Sequence, residues 1–369
     1  MERGKLRIGV LGNCCTHGEF VVAALQGEPQ AELVGGWEDD PRRAPALARA
    51  LGTELRSTPD ELIEDPAIDV IAICSDPCEK AHWVEQAAEA GKHIFLNKPM
   101  CESLASARRI EAAVRRHGVQ LVHDIVVIRF NPVTAKLLEE VRRGDYGQPI
   151  HHAHSWGMTF SQDFPLADVW PERLDPPSRS GGGELTNMGC YAVDYMVALW
   201  GRPESVQAKW MKAWDVYRAA DVESFGQIVA DYGGFYAVLA VGKQTIRSLP
   251  SMGVEEALST GNWHNVLQLQ FADANVTVLP YQDLVIRDGR ELSAEEYLGT
   301  FRSLTPFGQL ARAIETSVAP DSGVEVALLG VEVTMAAYRS IREGGAMVTL
   351  PLEDGRNPLA GDAPPLARS

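Results

Sequence analysis

Gly91-Lys92-His93-Ile94-Phe95-Leu96-Asn97-Lys98-Pro99 sets a short apolar run in front of a lysine and a proline. Reading that run as a buried strand decides the fold. A helical pattern over Lys80 to Ala90 precedes it and another over Leu104 to His117 follows. The same alternation fills the first 125 residues, with strands expected at Arg7 to Leu11, Glu32 to Trp37, Val70 to Cys74, His93 to Leu96 and Gln120 to His123. Helices are expected between them at Gly18 to Gln26 and Ala44 to Leu51. Short strands alternating with amphipathic helices predict a parallel sheet covered on both faces. Binding sites in such sheets form beyond the carboxyl ends of the strands, which is where Gly12, Glu38, Ser75 and Lys98 fall.

From about Ile125 the pattern changes to longer runs of period two, at Ile150 to Trp156, Ser224 to Tyr232, Phe235 to Val241 and Val266 to Leu279. These predict a large, mostly antiparallel sheet with one face solvated or turned to a partner. Helices are expected at Pro132 to Arg143, Gly189 to Leu199, Phe307 to Ser317 and Gly323 to Glu343. The expected class is therefore α/β followed by α+β. It divides into a domain over 1–124, a second over 125–352, and a mobile tail rich in Pro, Gly and Asp over 353–369.

With 369 residues, 45% of them apolar and 23% charged, the chain has the size and composition of two globular cores. A formal charge of −16 argues against nucleic acid as a partner, since phosphate neutralisation needs clustered Lys and Arg. No apolar run approaches the length of a membrane span, and the residues before Ile8 do not read as a secretion signal. The expectation is a cytosolic protein whose six cysteines remain thiols, mostly buried. His152 and His154 fall on one face of an expected strand and His151 on the other. No further ligand stands at a diagnostic spacing, so no metal is expected, and His152 or His154 is expected to line the substrate pocket or simply to pack in the sheet.

Gly9-Val10-Leu11-Gly12-Asn13-Cys14-Cys15-Thr16-His17-Gly18 occupies the first strand-to-helix turn, where dinucleotide folds set a glycine-rich loop against a pyrophosphate. In a G-x-G-x-x-G reading only Gly12 fits, with Cys14 and His17 at the other glycine positions. Thr16 and His17 are expected to add donors to the free N–H groups of the helix end. Glu38 closes the second strand and reads as the acid that bonds the adenosine ribose. Asp39 and Asp40 beside it would repel a 2′-phosphate, which favours NAD over NADP despite Arg42 and Arg43.

Gly12, Glu38, Gly91-Lys92-His93 with Lys98-Pro99, Arg129-Phe130-Asn131-Pro132, Gly181 to Asp194, and Ala336-Ala337-Tyr338-Arg339-Ser340 together resemble the glucose-fructose oxidoreductase, inositol dehydrogenase and MocA family. The resemblance implies a Rossmann domain, an open carboxyl-terminal sheet with helices on one face that joins dimers or tetramers, and NAD(P)-dependent chemistry on sugars, polyols and related hydroxyl compounds. It implies that Lys98 polarises the reacting oxygen. The family's Glu-Lys-Pro becomes Asn97-Lys98-Pro99, and its Asp-x-Gly-x-His-x-x-Asp becomes Asn187-Met188-Gly189-Cys190-Tyr191-Ala192-Val193-Asp194. Tyr191 then takes the place of the family's histidine, as in the subgroup where a phenol is the proton donor. Two lost carboxylates, at Asn97 and Asn187, would leave Lys98 with fewer anionic neighbours and a lower pKa than in relatives that keep them.

The expected catalytic set is Lys98, Tyr191 and Asn187, with Asp194, Arg129 and His154 toward substrate. Gly12, Cys14, Thr16, His17, Glu38, Ser75, Asn97 and Lys98 are expected toward the cofactor. Asn187 and Tyr191 stand at i and i+4, on one face of an expected helix whose start at Gly181 to Gly183 would offer a free, anion-accepting end. Three activities are open at this level. The leading one is an NAD-dependent dehydrogenase for a sugar, cyclitol or polyol. The others are an NAD-retaining glycoside lyase or hydrolase, and a nucleotide-binding sensor or scaffold without turnover.

Overall fold

The structure, a computed structural model, describes residues 4–161, 163–246 and 263–360. The chain forms two compact units, with boundaries after Ile125, after Ser303 and after Leu328, so that Leu304–Leu328 belongs to the first. In that unit β1 (Leu6–Leu11), β2 (Ala31–Trp37), β3 (Val70–Ile73), β4 (His93–Asn97) and β5 (Leu121–Asp124) line up in the order β2-β1-β3-β4-β5. Every pairing is parallel. Ile8, Val10, Ile71, Ile73 and Ile94 are fully buried, as strands covered on both faces require. The chain leaves β1 toward β2 on one side and reaches β3 on the other. The crevice of a doubly wound sheet therefore opens between the ends of β1 and β3.

Local chemistry sets the helix bounds. Ser103 caps Leu104–His117 by accepting the Ser106 N–H, and Gly118, at φ 65°, ends it after Arg115, Arg116 and His117. Residues 304–328, expected with the second domain, are held in the first unit by apolar burial. Phe307 and Leu310, on the helix Pro306–Thr316, join the core made by Val21, Val22, Leu25, Leu47 and Phe95.

Among the described residues the second unit carries nine strands: β6 (Pro149–Ser161), β7 (Ser205–Met211), β8 (Phe225–Asp231), β9 (Tyr236–Ile246), β10 (Trp263–Phe271), β11 (Asn275–Leu279), β12 (Leu284–Arg287), β13 (Arg290–Ser293) and β14 (Val348–Thr349). Their order is β13-β12-β11-β10-β6-β9-β8-β7-β14. Only the central β6–β9 pair is parallel. The strand expected over Val266 to Leu279 is two strands, β10 and β11, because the chain turns at Ala272 to Ala274 with Gln270 opposite Asn275. Period-two alternation runs through this turn without a glycine or proline, so the sequence offers no punctuation there. The expected tail is pinned where it is described: Asn357 donates to Gly181 O (2.9 Å) and Pro177 O (3.2 Å). Residues 361–369 of that tail lie outside the described residues.

Candidate cofactor and active site

Gly12 has φ 88°, and a Cβ there would stand 2.6 Å from both Cα and N of Ser75. No side chain fits this approach. We expect Gly12→Ala to cost about 1–3 kcal/mol of stability and at least about tenfold in NADH affinity, from backbone strain and displacement of the β3 end. Urea unfolding and NADH fluorescence titration read the two effects, and an unchanged variant would contradict the close approach. The third-glycine role falls to Gly18 rather than position 17, since a Cβ there would lie 2.6 Å from Gly12 O. The loop takes up the extra residue with Cys15 and Thr16 at φ 51° and 64°. A glycine one position late was the available signal.

The turn differs from an open cradle of N–H groups. Gly12 N–H donates to Trp37 O, Cys14 N–H to Cys74 O, and Asn13 N–H to Glu38 Oε2 at 2.7 Å. The Cys14 amide is thus engaged with β3. Asn13 Oδ1 accepts the Glu19 N–H, which occupies one donor of the helix His17–Gln26. Thr16 Oγ1 donates to Cys15 O, so that hydroxyl is used locally, and His17, at the helix start, is half-buried. An anion can draw on this turn only beyond Cys14. The thiols of Cys14 and Cys15 are buried, 3.7 Å apart, and the Cys14 thiol is held well above its ordinary value by its contact with Cys15 and by burial.

Glu38 is a buried hub. Its oxygens accept from Asn13 N, Asp40 N (2.9 Å) and Arg43 Nη2 (3.1 Å), while Arg43 Nη1 reaches Asp76 at 3.2 Å. Burial raises the Glu38 carboxyl, against these donors. Of the roughly four lone-pair sites on a carboxylate, three are used and one is left for a further donor such as a ribose hydroxyl. Arg43 is committed to Glu38, Asp40 and Asp76, a set that leaves little positive charge to meet a 2′-phosphate. Ser75 Oγ, beside Gly12, is buried with no hydrogen-bond partner among the described residues. This unused hydroxyl at the crevice, together with the Gly12 approach, fits a bound dinucleotide.

Asn97 ends β4 opposite Asp124 on β5, and its Nδ2 donates to Asp124 Oδ2 at 2.9 Å. Lys98 follows, and its peptide bond to Pro99 is cis. Burial pushes the Asp124 carboxyl up to about 6, against Asn97, Lys80 and Lys98. Asn97 is thus tied to a carboxylate from the next strand that stands within electrostatic range of Lys98. Lys80 starts the helix that leads into β4. It is 1% exposed, and its Nζ donates to Asn97 O (2.5 Å) and Pro99 O (2.7 Å).

In the second unit the helix expected over Gly189 to Leu199 forms as Gly189–Trp200, while Asn187, expected on the same helix, lies on a separate short one, Glu184–Asn187. The Met188 carbonyl between them accepts both Trp156 Nε1, at 3.0 Å, and the Tyr191 N–H, at 3.3 Å. Tyr191 is buried near the start of the second piece, its ring edge-on to Trp156 at 5.9 Å. Asn187 Nδ2 donates to Glu184 Oε2 at 2.8 Å. Glu184 also accepts Tyr217 OH (2.5 Å) and pairs with Lys243 Nζ (2.9 Å). The second lost carboxylate thus has a neighbour as well, three residues upstream.

The free helix end expected at Gly181 to Gly183 is occupied. Gly183 N–H and Leu185 N–H both donate to the Glu223 carboxylate, which also accepts Tyr338 OH. Burial holds Glu223 up at about 7 in spite of those donors. Arg129 and Asp194, both expected to meet substrate, form a buried ion pair with each other at 3.1 Å. His154 is buried in the sheet with Nε2 2.9 Å from Asn265 Oδ1 on β10, and burial pushes it down to about 4. It is a neutral core histidine, as is His152, whose Nδ1 accepts from Trp200 Nε1.

Comparison with known proteins follows the same division. Residues 6–124 match the model described as an oxidoreductase family with an NAD-binding Rossmann fold. Residues 134–250 match the GFO/IDH/MocA C-terminal domain. The chain is 33% identical over 153 residues to scyllo-inositol 2-dehydrogenase (NAD(+)) of Bacillus subtilis, covering 41% of this chain and 43% of that one. It is 30% identical over 181 residues to D-xylose dehydrogenase of Paenarthrobacter nicotinovorans, covering 45% of each. The chain thus spans less than half the length of these two relatives. Levoglucosan dehydrogenase, solved with NADH and levoglucosan, superposes with a TM-score of 0.75 at 17% identity, over 94% of this chain and 100% of that one. At that identity the likeness is one of fold.

Proposed function

Because the chain belongs to the GFO/IDH/MocA oxidoreductase family, we propose that it moves hydride between NAD and a hydroxyl-bearing carbon of a sugar, cyclitol or related polyol. The observation that carries this reading is the crevice at the end of β1, with its side-chain-free Gly12 beside the unused Ser75 hydroxyl. NAD, when bound, supplies the hydride chemistry. Glu38 offers its remaining lone pair to the ribose, and Ser75 and the turn after Cys14 face the rest of the nucleotide.

Tyr191 is the group that gives or takes the hydroxyl proton, and Lys98 is the cation that makes the substrate oxygen easier to hold as an anion. Asn187 orients a hydroxyl. It cannot accept a proton, so it depends on Glu184 to fix its amide. Arg129 and Asp194 support the helix that bears Tyr191. The protein works in the cytoplasm as a homodimer or homotetramer. The exposed Ile150, Met211 and Tyr236 on β6, β7 and β9 give its sheet apolar surface for such an assembly.

The test is a panel of inositols, pentoses, hexoses and anhydrosugars incubated with NAD or NADP, followed by NADH absorbance and by mass spectrometry of products. Net NADH with a matching ketone or lactone supports the dehydrogenase. Release of an aglycone with no net NADH, or binding of NAD without turnover on any of them, would sink it.

A further inference from the structure

The proposal rests on Lys98 as the charged group of the reaction, and concerns what holds it. Both hydrogen bonds from the buried Lys80 ammonium reach carbonyls that flank Lys98, those of Asn97 and Pro99. The Asn97–Lys98 peptide before Lys98 and the Pro99–Met100 peptide just beyond it are thereby held by one cation from the helix Lys80–Glu89. On the other side, Asn97 is tied to Asp124 by a cross-strand hydrogen bond in register. Burying an ammonium is costly unless a carboxylate lies near, and Asp124 is a carboxylate within electrostatic range of Lys80.

We propose that Lys80 and Asp124 form a positioning pair for Lys98, in which Lys80 fixes its backbone and Asp124 opposes its charge. The pair takes the part that a carboxylate at position 97 would otherwise play. Other titratable groups stand around Asp124. Cys74, at the end of β3, is kept a neutral thiol by burial, and His123 adjoins Asp124 on β5. Arg312 and Glu315, on the helix that packs against β5, point to solvent.

The two residues should act with opposite sign. Asp124→Asn removes the anion and keeps an acceptor for Asn97, so the Lys98 ammonium should titrate about one pH unit lower. Lys80→Met removes a like charge, so Lys98 should titrate higher. It should also lower kcat by up to about 100-fold with NADH affinity unchanged, because the lysine loses its fixed geometry. Carbon-13 spectra of lysine-labelled full-length protein, with Lys98→Arg to assign the signal, read the Lys98 titration directly. The kcat/KM profile against pH reads it a second time. A structural role alone would leave the titration where it is.

If the Lys98 signal titrates alike in the parent and in whichever of the two variants folds, the positioning pair is wrong. If the signal moves and the kinetic limb does not, the pair stands, and it is the proton-handling role of Lys98 that falls.

Discussion

Tyr191→Phe is expected to lower kcat by about 10²- to 10⁴-fold, the usual span for loss of a positioned proton donor, while NADH binds as before. The variant tests the phenol rather than the packing. Tyr191 is buried, and its ring lies edge-on to Trp156, a contact that phenylalanine keeps. Removing one oxygen leaves the helix Gly189–Trp200 with the same apolar face toward the sheet. The loss should therefore appear in kcat and kcat/KM together, as for an interaction made only in the transition state. Steady-state kinetics on the substrate found in the panel, with thermal melting as the fold control, decide it. A kcat within about threefold of the parent would remove the tyrosine from the chemistry.

The largest stability effect is expected from Lys243→Met. Lys243 and Glu184 are 3% and 1% exposed at the side chain, 2.9 Å apart. Removing the lysine takes away the ammonium paired with a buried carboxylate, which keeps Tyr217 and Asn187 as donors and Arg173 as a nearby cation, at a cost of about 3–5 kcal/mol. The pH dependence has a definite sign. In the parent, burial acts to raise the Glu184 carboxyl, but Lys243, Arg173 and Tyr217 together hold it below its ordinary value. The pair then contributes stability above the unfolded carboxylate value, and loses it as pH falls through the lowered folded value. In the variant Arg173 and Tyr217 oppose burial without Lys243, so the carboxyl rises and its protonation relieves the penalty. The deficit should shrink between neutral pH and about pH 5. Urea unfolding at the two pH values measures it, and adding Glu184→Gln to Lys243→Met should recover part of the loss. A deficit below about 1 kcal/mol at neutral pH would show that the pair is not needed. Asn187 relies on the same carboxylate, so the variant should also lose activity before it loses its fold.

Much of the first unit was legible because a parallel sheet buries its strands on both faces. Apolar runs such as Val70 to Cys74 then stand apart from the amphipathic helices between them. The lysine after β4, the acid after β2 and the glycine after β1 fell at strand ends by counting alone. The second unit was harder to read. Half-exposed strands tolerate polar residues on one side, so the turn at Ala272 to Ala274 left no mark and β7, β12, β13 and β14 went unassigned. Gly18 was missed because the loop is one residue longer than the template it was compared with. Lys80 was legible only as a basic residue at a helix start.

The sequence by itself determined which chemical groups this protein has and on which strand ends and helices they stand, since periodicity and turn chemistry act between neighbours in the chain. Only the tertiary structure decided which groups are available. Arg129 is bound to Asp194, Glu223 fills the helix end after the glycines, and both asparagines that replace family carboxylates lean on a carboxylate from elsewhere in their own unit, Asp124 and Glu184. Such pairings join residues from 3 to 65 positions apart. They exist because a buried polar group must find a partner within about 3 Å, whatever part of the chain supplies it.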